Sequence, residues 1–114
     1  MVTPSIGIVV LVRFPFSDLS NAKLRPAIVL ADADRDDWIL CQVTSQRYTD
    51  LKAIEITGDD FVSGSLKKVS YARPSKLFTA NSIIIERSVG VLNKAKFAEI
   101  TDVIVSLFSP ITSI

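Results

Sequence analysis

From residue 6 to residue 91 the chain is a succession of short apolar, β-branched runs cut by polar turns; beyond Asn93 the apolar spacing changes to three and four. That order constrains the fold more than any other feature, because it predicts many short strands followed by one helix. Residues 6–14 read as the first strand. Residues 15–23 carry Pro, Ser, Asp, Asn and Lys and read as a loop. Residues 25–31 form a second strand, entered through Pro26, which a strand start tolerates. A tight charged turn over 32–37 leads to a third strand at 38–44, and the two pair as a hairpin. A polar turn over 46–50 precedes an alternating fourth strand at 52–56. Residues 58–64 read as a loop. Residues 67–72 are extended until Pro74 interrupts them, 77–78 form a short extended piece, and 82–91 are the last strand. Phe97, Ile100, Ile104, Leu107 and Phe108 lie on one helical face. Asn93 is a good N-cap before that face, and Pro110 falls just past its end. The pattern predicts a helix over 94–108 and a mainly β fold, a small antiparallel barrel or curled sheet.

Composition narrows the chemistry. The 114 residues are the size of one domain, with no linker or repeat dividing them. An apolar content of 48% argues against disorder and leaves apolar surface for a partner or a dimer face. There is no histidine, which removes His-based acid–base catalysis and His-based zinc sites. The one cysteine, Cys41, lies in the apolar run 38–43 and reads as a small core residue. Thirteen Lys and Arg stand against twelve Asp and Glu, so any basic surface must come from local clustering. No stretch approaches the roughly 20 apolar residues of a membrane span. The first residues lack the pattern of a signal peptide, so cytoplasmic residence without membrane attachment is expected.

Two segments can carry chemistry. In Lys23-Leu24-Arg25-Pro26, an arginine stands where a polar loop enters an apolar strand; alone, it reads as a solvated or turn-anchoring residue. In Val43-Thr44-Ser45, two hydroxyls end the next strand; alone, they are ordinary turn chemistry. An antiparallel hairpin would bring Arg25 and Thr44 to the same sheet end, where a guanidinium and a hydroxyl can share a phosphate. Lys23 and Gln46 flank that place, with solvation as the plainer role for each. Arg73 can bind phosphate or pair with a carboxylate. Phe14 and Phe16 can stack a base or anchor core and loop. Trp38 reads as core or interface.

These residues resemble the MazF/PemK family of toxin endoribonucleases. The resemblance runs through Gly7-Ile8-Val9, Arg25-Pro26-Ala27-Ile28-Val29, Val43-Thr44-Ser45, Tyr71-Ala72-Arg73 with Lys76-Leu77, and Gly90-Val91-Leu92, and spans residues 7–108. It implies an SH3-like β-barrel with helices, of the MazF/CcdB/Kid kind, usually a homodimer. It further implies cleavage of single-stranded RNA without metal or other cofactor, and a cognate antitoxin protein as partner. Carried onto this chain, Arg25 and Thr44 are the catalytic pair, with Ser45, Lys23, Gln46, Phe16 and Arg73 as substrate-binding residues. The chain departs from the family pattern at Ile8, where an Asp is usual, and at Ser70-Tyr71, where relatives carry an acid and Gln. It departs again in residues 16–23, which lack glycines. Two rivals share the barrel: a gyrase poison like CcdB, which relies on a C-terminal tryptophan that is missing here, and a catalytically silent binding module.

Overall fold

The structure, a computed structural model, describes residues 4–14, 23–47 and 49–109. Seven strands form one antiparallel sheet: β1 (Ile8–Phe14), β2 (Lys23–Asp32), β3 (Asp37–Thr44), β4 (Ile54–Ile56), β5 (Phe61–Gly64), β6 (Ser70–Asn81) and β7 (Ile85–Leu92). One helix follows, α1 (Lys94–Leu107). The sheet order is β4-β6-β3-β2-β1-β7-β5. Its two outermost strands, β4 and β5, are consecutive in sequence and joined by residues 57–60 alone. A link that short spans roughly 17 Å when fully extended. The two edges must therefore lie close together, and the sheet curls into a half-barrel.

Both faces of the central strands are buried, so their sequences read as continuous apolar runs rather than alternating ones. Val9, Ile28, Cys41 and Val43 face a core that includes Ile54 and Ile56 of β4, Leu92 of β7, and Ile100 and Ile104 of α1. Val10, Val12, Ala27, Val29 and Leu40 face a second cluster on the other side. The helix thus fills the open side of the half-barrel. Its start is fixed by Asn93, whose side chain accepts a hydrogen bond from the Lys96 N–H at 2.7 Å. Asn93 N–H in turn donates to Asp60 O at 2.7 Å, tying the helix to the β4–β5 link.

Two glycines are required by shape. Gly7 has φ +92 and turns the chain into β1, where its N–H donates to Val29 O at 2.8 Å. At Gly90 a Cβ would stand 2.6 Å from the Phe61 ring, so only glycine lets β5 lie across β7.

The expected β architecture and terminal helix are present, with four local corrections. Residues 58–64 are not simply loop: a single 3-10 turn, Gly58–Asp60, feeds β5. Pro74 does not end a strand, because β6 runs on through it. Between the Cys41–Leu77 and Val43–Ala72 pairs the ladder leaves residues 73–76 opposite Gln42 alone, and in such a bulge proline's missing N–H costs no ladder bond. The last strand starts later than expected, after a 3-10 turn at Ser82–Ile84. Phe108 caps α1 and is exposed instead of joining the apolar face. Pro110 lies outside the described residues. Among those described, no helix is long and apolar enough to cross a membrane.

Candidate active site

β2 and β3 pair from Asp32–Trp38 to Ala27–Gln42, and there the ladder stops. The next residue of β2 is Pro26, which brings no N–H to a continued ladder. Extending the register by two places sets Arg25 opposite Thr44. The strands part at this end and open a cleft of about 450 Å³. Its apolar lining is Leu11, Leu24, Pro26, Val43 and Leu66. Its polar lining is Lys23, Arg25, Thr44 and Ser45 from the hairpin, Lys67 and Lys68 from the segment before β6, and Ser70 at the start of β6. Among the described residues that line it, none is acidic.

The hydroxyl of Thr44 accepts a hydrogen bond from the Gln46 N–H at 3.1 Å. That contact shapes the turn after β3 and leaves the hydroxyl proton available to an acceptor in the cleft. Arg25 projects from β2 beside the β1 residue with which it registers, Val12, a buried core residue. The guanidinium is thereby carried on two packed strands rather than on a loop, a rigid mount for a charge that must be placed accurately.

Lys23, Arg25, Thr44 and Ser45 are brought together as the hairpin reading expected. Gln46 and Arg73 are not among the cleft's lining residues. Gln46 contributes its backbone N–H to Thr44. Arg73 is turned to Asp50, with Nε donating to Oδ2 at 3.0 Å and both side chains largely buried. That hydrogen bond, ahead of every other influence, holds the Asp50 carboxyl below its ordinary pKa of 3.8. The pair braces the segment after Thr44 against the bulge of β6. Phe16 lies outside the described residues. Phe14 packs its ring on Phe78, centroids 4.8 Å apart, which is the anchoring role. Trp38 packs against the second apolar cluster, and its indole N–H is buried without a hydrogen-bond partner among the described residues.

Cys41 is fully buried, with Sγ directed to the Arg73 carbonyl at 3.3 Å. Burial pushes its thiol up to about 12, so it offers no thiolate nucleophile at neutral pH.

Sequence reasoning missed Lys67, Lys68 and Ser70. The Lys-Lys dipeptide is plain in the sequence, but no local pattern separates it from an ordinary solvated turn. What places it is the long-range pairing of β6 with β3 and β4.

No curated protein matches the sequence. Solved structures do match the fold. An endoribonuclease in complex with its cognate antitoxin, from Mycobacterial species, superposes with TM-score 0.74 at 12% identity, over 95% of this chain and 97% of that one. MazF from the MazE–MazF complex of Deinococcus radiodurans gives TM-score 0.73 at 20% identity, over 94% and 96%. The Mycobacterium tuberculosis toxin MazF-mt6 gives TM-score 0.68 at 13% identity, over 90% and 96%. At these identities the likeness establishes a common fold. A family model settles the kinship, matching residues 6–108: the chain belongs to the PemK-like, MazF-like toxins of type II toxin–antitoxin systems.

Proposed function

We propose that this toxin is an endoribonuclease that cuts single-stranded RNA in the Arg25–Thr44 cleft, without a metal. The observation that carries the reading is the shared lining of one cleft: Arg25 and Thr44 stand in it with Lys23, Lys67 and Lys68, and no described residue there is a carboxylate. A phosphodiester is the substrate that such a site accommodates.

The ribose 2′-oxygen attacks the adjacent phosphorus, forming a 2′-O–P bond while the P–O5′ bond breaks. Solvent water takes the 2′-OH proton and supplies one to the leaving 5′-oxygen, and a cyclic phosphate remains. Charge grows on the non-bridging oxygens as the phosphorane forms. Arg25 stabilises that charge, and Thr44 donates a hydrogen bond to the same oxygens. Arginine holds its proton too tightly to be an efficient base, so its principal work is electrostatic. Lys23 and Ser45 hold the strand at the rim.

As an expressed toxin it works in the cytoplasm as a homodimer. A cognate antitoxin silences it by laying a segment over the cleft, and two of the similar structures above were solved with an antitoxin. The test is incubation with long single-stranded RNA in EDTA beside Arg25→Ala. Wild type should produce new ends bearing cyclic or 3′-phosphate, and Arg25→Ala should lose about a thousandfold in rate while keeping its circular dichroism spectrum. Well-folded wild type that cuts none of several RNAs would point instead to a silent binding module or a gyrase poison.

A further inference from the structure

We propose that Lys67 and Lys68 form a second phosphate-binding wall of the cleft, gripping the backbone phosphates that flank the one held at Arg25. This rests on the ribonuclease reading and adds to it the residues that hold the strand.

Four of the chain's 13 basic side chains, Lys23, Arg25, Lys67 and Lys68, line this one cleft, although the whole protein is nearly neutral at +1. Of the nine cations elsewhere, three are held in ion pairs: Arg13 with Glu86, Arg73 with Asp50, and Lys96 with Glu99 and Asp60. Among the described residues, no carboxylate lies within ion-pair distance of Lys67 or Lys68. Gathering like charges is unfavourable in the empty protein and becomes favourable when a polyanion enters. The lysines are also set on an anchored backbone. Ser70 is buried, its Oγ donates to Lys68 O at 3.0 Å, and its own strand position registers with Ile56 of β4. A solvated tail would need no such anchor. The cleft is far larger than one phosphate, so a strand crossing from Arg25 to the lysines has room for sugar and base beside its apolar lining residues.

Phosphate contacts position a strand and carry no sequence information. The experiment therefore separates grip from both chemistry and base reading. Binding of a fluorescein-labelled, uncleavable 2′-O-methyl RNA of mixed sequence is measured by anisotropy across a salt series, for wild type, K67Q/K68Q and K67R/K68R. The Gln pair should bind roughly tenfold more weakly at low salt, and its log–log salt slope should fall by about 1.4, near 0.7 for each phosphate that is no longer neutralised. The Arg pair should restore both. On cleavable RNA the Gln pair should raise KM and keep the wild-type pattern of cut positions. An unchanged slope in the Gln pair would overturn the proposal, and so would an altered pattern of cuts. An unchanged slope together with weaker capture of an acidic antitoxin peptide would reassign the wall to a protein partner. If wild type itself neither binds nor cuts RNA, the ribonuclease reading falls with it. If wild type cuts RNA and the Gln pair keeps the wild-type slope, only this inference falls.

Discussion

The two ends of the β2–β3 ladder are built on opposite terms. At the closed end, Asp34, Arg35 and Asp36 all take left-handed backbone, with φ of 72, 54 and 64. That conformation costs a non-glycine residue roughly 1 kcal/mol. The cost is offset by local polar contacts. The Asp32 carboxylate accepts from the Asp34 N–H at 2.7 Å, Asn81 Nδ2 donates to Asp37 Oδ1 at 3.0 Å, and the Ser82 N–H donates to Asp36 O at 2.8 Å. At the open end, Pro26 stands where the ladder stops, and the strands part around a cleft whose described charged residues are all cations. One end uses its polar groups to hold itself together. The other gathers cations and hydroxyls along one cleft, and that is where the candidate site stands.

The two ends should therefore respond differently to substitution. The largest effect should come from the ladder they share. Leu40 is fully buried between them, and Leu40→Ala should cost about 3 kcal/mol in denaturant unfolding, weakening both ends together. Next, Thr44→Val removes a hydroxyl at the open end, and with it the acceptor of the Gln46 N–H. It should slow RNA cleavage about tenfold while costing only about 0.5–1 kcal/mol in unfolding, and equal losses of stability and activity would erase the distinction.

Behind the open end stands the Asp50–Arg73 pair. Asp50→Asn should cost about 1 kcal/mol of stability at neutral pH. Folding depresses the Asp50 pKa, so its contribution is fully present above the unfolded value and is lost as pH falls through the folded one. The wild-type advantage should therefore hold from neutral pH down to the carboxylate range and vanish below 3.8, which urea melts at stepped pH will reveal. The smallest effect belongs to the closed end: Asn81→Ala should cost roughly 0.5–1 kcal/mol and leave cleavage untouched.

The sequence by itself determined the strand-rich body, the terminal helix with its Asn93 cap, and the hairpin that brings Arg25 to Thr44. These follow from short apolar β-branched runs, a 3.6-residue period and one turn, all local properties. Local signals also misled in places. Pro74 reads as a strand break, yet it occupies a bulge, because only the partner strand decides whether its absent N–H is missed. Arg73 reads equally as phosphate ligand or ion-pair partner; Asp50, 23 residues earlier, decided which contact it makes. Lys67 and Lys68 carry no local mark of function. They stand at the cleft because β6 pairs with both β3 and β4, and because a four-residue link between the two edge strands forces the sheet to curl. Periodicity tells which face of an element is apolar, but which charges end up sharing a cleft is set by closure of the chain over long sequence distances, and that only the tertiary structure decided.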